Sequence, residues 1–533
     1  MKRAWYLHPI LFAAYPALGE VAFNVTQNSP FLGGRIIILS LLVGGVLLLL
    51  AWLATRDGHR AAFLASLIVF PVLGYGHVYR LVEGKQIGSI VWGRHEIVLG
   101  AWVLVILLLG SSWTWRHLRN PQLITQFMNV AAVAAVALPL LKIAWFLAAT
   151  GVDSLKLRGK QYSLAPESIA LRAEVLPDIY YIVLDGYGRE DVLREMYGID
   201  NSDFSGHLAS RGFVVASQAQ ANYMQTALSM ASSFNLGYMD ELAGLLGPSS
   251  QDREPLVELV RHSVVRERLA RLGYEMVALS SGSYFTEIRD ADLYLSPFAT
   301  DLNELEGLWL STTAAAVVEN PEALGLSIPS YENRRVLIRY ALEQLETAGQ
   351  RPGPQFVFAH IIAPHPPFIF DAAGGSVEPP WPYNPGDGDM CCGTDQDYRA
   401  GYTSEVTFVN NQMMQVLDTI LEHSETPPVI LIQGDHGPGA LLNFRDIERT
   451  CLRERIPILS AYYLPGEGRR AIYPEITPVN SFRVVFNSLF GAGLPLLPDN
   501  SYYSTWYRPY DFVDVRDRVQ TRCEPLGGPD VAP

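Results

Sequence analysis

An α-helical membrane domain of about five spans, followed by an α/β domain with a mostly parallel sheet covered by helices on both faces, is the architecture this sequence predicts. Three observations lead there. Residues 8–24, 36–54, 62–79, 97–114 and 127–149 are apolar runs near the length a bilayer crossing needs. The run Ile179-Tyr-Tyr-Ile-Val-Leu184 is apolar throughout and ends in Asp185-Gly-Tyr-Gly188, the pattern of a strand buried on both faces. From residue 177 onward, apolar strand-length runs alternate with helix-length amphipathic segments, as in a sheet with helical crossovers.

Bulk properties agree with two regions of different solvent. The chain has 533 residues, is 49% hydrophobic, and carries a net charge of −14. Residues 1–150 hold 11 Lys+Arg and 4 Asp+Glu, a net of +7, so the remainder carries −21. An acidic polar region argues against nucleic acid as a partner. Cys391, Cys392, Cys451 and Cys523 all lie late in the chain and none has C-x-x-C spacing, which argues against a structural zinc site. An even number of cysteines permits disulfides outside the cytoplasm.

The clearest span is 36–54; 62–79, 97–114 and 127–149 follow. Trp113 and Trp115 close one of them, as interfacial aromatics do. Residues 8–24 carry Pro16 and Glu20, and a cleaved signal peptide is the rival reading there. With five spans, Lys2, Arg3, Arg56, Arg60, Arg116 and Arg119 are cytoplasmic, and Arg35, Arg80, Lys85 and Arg94 face outward with the large domain. With four spans the domain is cytoplasmic and the bias is again six to four, so charge alone leaves orientation open. The domain plan is then a transmembrane region at 1–150, a linker at 151–176, an α/β domain at 177–500 and a tail at 501–533. Strands are expected at 179–184, 213–217, 274–279, 355–361, 428–433 and 456–464. Helices are expected at 190–210, 226–236, 255–272, 331–348, 398–422 and 478–490. Residues 371–397, rich in Pro, Gly and Asp, read as an irregular insertion.

Chemistry-bearing residues recur at strand ends. Asp185 follows the first strand, and Asp435-His436 follows Val429-Ile-Leu-Ile-Gln433 inside Gly-Asp-His-Gly. Ligands of open α/β sheets bind at that edge. A carboxylate and an imidazole there are good first-row metal ligands, though a turn Asp beside an exposed His is the plain structural reading. Thr226 opens an apolar helical segment after Asn222 and Gln225. It is either an N-cap or a hydroxyl placed where free amides and the helix dipole favour an anion. His360 and His365 lie in Ala-His360-Ile-Ile-Ala-Pro-His365-Pro-Pro-Phe368, where the prolines predict an extended path that holds His365 over a pocket. A satisfied core histidine is an equal reading for His360. Together Asp185, Thr226, Asp435 and His436 make a four-ligand divalent site, and a metal can activate a threonine hydroxyl that is a poor nucleophile by itself.

These motifs resemble, in their order, the alkaline phosphatase/sulfatase superfamily: Asp185-Gly-Tyr-Gly-Arg189, Asn-Tyr-x-Gln-Thr226-x-x-Ser, Ala-His360-x-x-x-Pro-His365-x-Pro-Phe and Gly-Asp435-His436-Gly. With the N-terminal spans, the chain is similar to the membrane-anchored branch, the lipoteichoic acid synthases and phosphoethanolamine transferases. The resemblance covers about 177–495 and implies an alkaline-phosphatase-like fold. It implies one metal, manganese or zinc, on Asp185, Thr226, Asp435 and His436. Thr226 and His365 would be catalytic, and His360, Asn222 and Arg189 would contact substrate. A lipid headgroup donor and a glycan or lipid acceptor follow, with a multi-pass protein in the inner or plasma membrane whose catalytic domain faces periplasm or exterior. That topology puts the cysteines in an oxidising compartment, with Cys391 or Cys392 expected to bridge to Cys451 or Cys523.

The sequence departs from its relatives at two points. Those transferases typically carry Glu where Asp185 stands. Sulfatases mature Cys or Ser in C/S-x-P-x-R, where this chain reads Thr226-Ala-Leu-Ser229. Phospho-headgroup transfer is therefore expected, with phosphodiesterase or sulfuric-ester hydrolysis as the alternative, and a non-catalytic envelope assembly protein as the second.

Overall fold

The computed structural model describes residues 5–82, 85–87, 90–91, 93–108, 120–157, 176–299, 302–318, 321–348, 350–391, 393–521 and 523. Residues 109–114 with Trp113, Trp115, most of the expected linker, Cys392 and the last residues of the tail lie outside these. The chain divides into two compact units: Met1–Val152 with Phe298–Pro329, and Asp153–Pro297 with Ser330–Pro533.

The first unit contains α1 (His8–Asn24), α2 (Gly34–Thr55), α3 (Gly58–Val82), α4 (His95–Leu108) and, as far as Val152, α5 (Pro121–Leu157). Among the described residues, three helical stretches are long and apolar enough to cross a membrane: Pro30–Thr55, Gly58–Val82 and Pro121–Thr150. The expectation of about five spans is corrected on this count. The described part of α4, at 1.5 Å per residue, rises only about 21 Å against a hydrocarbon core of about 30 Å. Helix α1 is 17 residues long and carries Pro16 and Glu20. Apolar side chains along α5, including Phe127, Val130, Leu138 and Trp145, are exposed, as they are where lipid is the solvent.

A helix that the sequence reading missed, Glu304–Thr312, belongs to this unit although it comes from the middle of the expected catalytic region. Its Leu305 and Trp309 pack with Ala13, Ala17, Val21, Ile36, Val69 and Leu73. Buried Glu306 pairs with Arg35 Nε at 3.0 Å.

The second unit is built on a seven-stranded sheet. Its strands are β1 (Ile179–Leu184), β2 (Val214–Val215), β3 (Glu275–Leu279), β4 (Leu293–Leu295), β5 (Gln355–Ile361), β6 (Val429–Gln433) and β7 (Ser460–Tyr463), in the order β2-β7-β6-β1-β5-β3-β4. The strands β6, β1, β5, β3 and β4 run parallel, while β7 pairs antiparallel with both β6 and β2. Side chains alternate between two cores, as the period of a strand requires. Ile179, Tyr181 and Val183 join Phe356, Phe358, Val429 and Leu431 on one face. Tyr180, Ile182 and Leu184 join Val357, Ala359, Ile430 and Ile432 on the other.

Helices α8 (Thr226–Phe234), α9 (Glu254–Arg261), α10 (Val264–Arg271) and α13 (Pro478–Phe490) contribute to the first core. Helices α6 (Glu190–Tyr197), α7 (Ser202–Ser210), α11 (Tyr331–Ala348) and α12 (Asp395–His423) contribute to the second. The expected helix at 190–210 is broken at Gly198, which caps α6 in the left-handed region at φ +69°. The expected helix at 255–272 is broken at Ser263, whose side chain accepts from Arg266 N and starts α10.

The expected tail holds a hairpin, β8 (Tyr502–Thr505) against β9 (Arg508–Asp514). Cys451 is disulfide-bonded to Cys523, with Cα atoms 5.5 Å apart. The expected bridge from Cys391 or Cys392 is thereby corrected, because both proposed partners are already joined to each other.

One buried acid gives a test of packing. Glu405 is 1% exposed on α12, and its Oε1 accepts from Ile369 N at 2.7 Å and Phe370 N at 3.3 Å. Burial pushes its carboxyl from 4.5 up to about 8, against the lowering effect of those amides and Arg334. A raised carboxyl stabilises the fold below its unfolded value and loses that contribution as pH climbs toward 8. Glu405→Gln keeps the acceptor oxygen and removes the titration. Its melting temperature should gain on wild type between pH 5 and pH 8, by the equivalent of about 2–4 kcal/mol at the upper end. A gap that stays constant across that window would contradict the assignment.

Candidate functional site

Strands β6, β1 and β5 lie side by side at the centre of the sheet, with Val183 level with both Gln433 and His360. Their carboxyl ends therefore deliver Asp185 and Asp435-His436 to one place. Gly186 follows Asp185 at φ +76°, a left-handed turn that a side chain would strain. A Cβ on Gly437 would run into the Glu454 carbonyl oxygen, so the second glycine of Gly-Asp-His-Gly allows a close backbone approach.

Asp185, Asp435 and His436 are buried, and one ligand atom from each lies within 4.8 Å of the others. Each of the two carboxylates has a buried oxygen without a hydrogen-bond partner among the described residues. Asp435 Oδ1 accepts from Gly186 N at 3.1 Å and His436 N at 2.9 Å, while its Oδ2 is buried without a hydrogen-bond partner among the described residues. Asp185 Oδ1 is buried in the same condition. His436 Nδ1 is 3.0 Å from the Gly437 carbonyl. A carbonyl only accepts, so Nδ1 carries the proton and Nε2 offers a lone pair. That Nε2 lies 3.2 Å from Thr226 Oγ1, 3.3 Å from Asp435 Oδ2 and 3.5 Å from Asp185 Oδ1. Two orphaned carboxylate oxygens and an imidazole lone pair, all out of water, form a donor set that a divalent cation fits.

The electrostatics run the same way. Burial alone would raise the Asp185 carboxyl, but His365, His360 and His436 outweigh it and hold the group well below the usual carboxylate range. Burial, aided by Arg455, holds His436 below its ordinary value and so favours neutral imidazole.

Thr226 is the first residue of α8, and Gln225 precedes it in extended conformation. Thr226 is half-buried, whereas the three ligand candidates are buried. Ser229 N already donates to Gln225 O, so the amides before it are the free ones of the first turn. Ser229 is 1% exposed and its Oγ donates to the Asp435 carbonyl at 2.7 Å. Residues 222–225 are fixed from several sides. Gln225 Nε2 donates to Ser504 and Thr505 of β8, its Oε1 accepts from Arg253, and Arg455 Nε donates to Met224 O.

His365 is half-buried, four residues past the end of β5. The peptide bonds Ala363–Pro364 and Pro366–Pro367 beside it are both cis. Its Nδ1 donates to Pro366 O at 2.7 Å, and its ring centroid is 6.1 Å from that of His436. His360 belongs to β5 itself and is 2% exposed. Its Nε2 lies 3.2 Å from Asp185 Oδ2, so the structure places it behind a ligand candidate and away from any open surface.

Two sequence candidates are engaged elsewhere. Asn222 is fully buried, donating to Asn500 O and Tyr238 Oη and accepting from Val479 N. Arg189 holds Asp191 through two hydrogen bonds and reaches Ala219 O. Both knit loops together, and neither side chain has a hydrogen bond or ion pair to the Asp185 group.

Asp387 and Arg455 escaped the sequence reading. Asp387 is 4% exposed, accepts from Tyr398 Oη at 2.8 Å and pairs with Arg455 Nη1 at 2.5 Å. Its Oδ2 is 3.9 Å from His365 Nε2. Burial would raise this carboxyl, but Arg455, followed by His365 and His436, holds it low. The only sequence signal was an Asp between glycines in Pro-Gly-Asp387-Gly, and Arg455 offered none.

Comparison with known proteins gives the following. The sulfatase family profile matches residues 177–456. No curated protein matches the chain. Among solved structures, the chain is similar to the C-terminal periplasmic domain of EcEptC from Escherichia coli in complex with Zn, at 10% identity over 67% of this chain and 97% of that one, TM-score 0.43. It is similar to the integral membrane protein lipooligosaccharide phosphoethanolamine transferase A (EptA) from Neisseria meningitidis, at 13% identity over 91% and 94%, TM-score 0.40. A 2-O GAG sulfatase aligns at 16% identity over 62% and 73%, TM-score 0.36.

Proposed function

Since this chain belongs to the sulfatase family, we propose that it is a membrane-bound, metal-dependent enzyme that transfers a phospho-headgroup from a lipid donor through Thr226. The observation that carries the proposal is the half-buried Thr226 hydroxyl, 3.2 Å from His436 Nε2, beside buried carboxylates with unpartnered oxygens. Threonine in place of the Cys or Ser that sulfatases mature favours phosphoryl over sulfuryl chemistry. Asp185, Asp435 and His436 would hold the cation, manganese or zinc, with Thr226 completing the set. Bound there, a divalent ion supplies the positive charge that lets a neighbouring hydroxyl release its proton to water.

The chain's own groups do the rest. Thr226 Oγ1 forms a bond to the donor phosphorus as the bond from phosphorus to the lipid alcohol breaks. The free amides at the start of α8 lie where negative charge builds on the remaining phosphoryl oxygens. His365 has Nδ1 fixed on Pro366 O, so Nε2 is the atom that gives a proton to the departing alcohol. In the second half, an acceptor hydroxyl of a glycan or lipid returns a proton to Nε2 and attacks phosphorus as the bond from phosphorus to Thr226 Oγ1 breaks, and that oxygen takes its proton back from water.

The second unit is proposed to face the periplasm or exterior. The Cys451–Cys523 disulfide supports that placement, since such bonds persist in oxidising compartments. Alkylation of the freshly isolated chain should leave both cysteines unmodified until a reductant is added; ready labelling before reduction would count against it.

The proposal is tested by incubating the purified full chain with vesicles of single phospholipids and measuring intact mass. A headgroup-phosphate increment mapped to residue 226, chased by an added acceptor, is expected. Release of the headgroup to water alone, with no acceptor product, would replace transfer by hydrolysis. No increment and no lipid alcohol from any vesicle would overturn the reading.

A further inference from the structure

A buried chain of side chains runs from Asp185 away from the cation site. His360 Nδ1 lies 2.8 Å from Thr286 Oγ1, and Thr286 Oγ1 lies 3.0 Å from Ser281 Oγ. Ser280 and Ser281 are in turn gathered around Glu287, whose Oε1 accepts from Ser281 N at 2.8 Å, Gly282 N at 2.6 Å and Ser280 Oγ at 3.1 Å. Thr286 is 1% exposed, His360 2% and Asp185 4%, so no water can substitute for a missing partner without entering the core.

A carboxylate only accepts, so the His360 proton facing Asp185 Oδ2 is on Nε2, across an ion-pair distance of 3.2 Å. Thr286 Oγ1 is the partner of Nδ1 in either ring state, accepting from imidazolium and donating to neutral imidazole. Glu287, held by two backbone amides, fixes the turn that carries Ser281 and Thr286.

We propose that Thr286 is a positioning residue for the cation site: through His360 it fixes the orientation of the Asp185 carboxylate. The inference rests on the reading of Asp185 as a ligand and adds residues outside every motif of the sequence. Groups that orient metal ligands from behind are worth about 10–100-fold in affinity. Valine at 286 has nearly the shape of threonine but no hydroxyl, leaving His360 Nδ1 buried without its partner and the ring without its anchor. Serine keeps the hydroxyl.

The full chain, in detergent and stripped with a chelator, is titrated calorimetrically with Mn2+ and with Zn2+. Thr286→Val should raise Kd about 10-fold or more, Thr286→Ser should return it to within about 3-fold of wild type, and the metal-free melting temperatures should agree within a few degrees. Should Thr286→Val fail to fold, His360→Leu, which has no polar group to bridge Thr286 and Asp185, should show the same loss. A wild-type Kd in either variant, or equal weakening by Val and Ser, overturns the proposal. Wild-type protein that binds neither ion would overturn the cation reading, and this inference with it.

Discussion

Thr226→Ala should abolish turnover, by about 10³-fold or more, while metal affinity falls only a few-fold and the fold is kept. The asymmetry follows from what the side chain does. Its hydroxyl has a hydrogen bond to His436 Nε2 at 3.2 Å and it is half-buried, so its loss costs about 1 kcal/mol or less in stability. Two carboxylates and an imidazole remain for the cation, but no oxygen remains at the start of α8. Thr226→Ser keeps that oxygen and should retain partial activity. Ser229→Ala is the control. Ser229 supports the Asp435 carbonyl from inside the helix, so its removal should cost about 1 kcal/mol in stability and leave turnover within about 10-fold. Steady-state rates with peptide mapping of substrate-loaded enzyme decide the matter. Near-normal turnover in Thr226→Ala, or a modification on Ser229, would exclude the mechanism.

That Thr226 opens α8 while Ser229 lies one turn inside it was legible because it depends on local structure, the start of an apolar helix. So were the elements beneath it. The expected limits of β1, β5, α11 and α13 coincide with those observed. Strands buried on both faces read as unbroken apolar runs, and long amphipathic helices read by period. Missed elements had local signals of a weaker kind. Asn303 and Glu306 form a capping box before the helix Glu304–Thr312, and β8 and β9 are aromatic-rich strands inside what read as a tail. That this helix packs with α1 to α3 was not legible, because packing partners some 270 residues apart leave no periodic trace.

The same limit explains the site. Asp185, Asp435 and His436 end central strands, and strand ends of a parallel sheet converge by rule. Asp387, Arg455 and Thr286 reach the site from an irregular loop, a one-turn helix and a turn, and only long-range hydrogen bonds bring them there. The roles expected for Asn222 and Arg189 came from their place in motifs. The structure engages both in loop-to-loop hydrogen bonds, a use that a motif cannot distinguish from substrate contact.

Loss of Asp435 or His436 should remove bound metal and lower activity by about 10²-fold or more while the membrane helices still insert. The variants need choosing with the hydrogen bonds in view. Asp435→Ala would strip Gly186 N and His436 N of their shared acceptor, and each orphaned amide costs about 1–3 kcal/mol. A folding defect would then imitate a ligand defect. Asp435→Asn keeps an oxygen at the Oδ1 position for both amides and replaces the unpartnered Oδ2 with a neutral amide that donates, so it removes the ligand and little else. In His436→Ala the Gly437 carbonyl loses a 3.0 Å partner, a smaller loss because a carbonyl tolerates under-satisfaction better than an amide. The expected order of metal content is wild type, then either single variant, then Asp435→Asn with His436→Ala, which should hold none after dialysis. Metal analysis beside melting temperature makes the comparison. Stoichiometric metal in the double variant, with the melting temperature unchanged, would show that the cation binds somewhere other than the ends of β1 and β6.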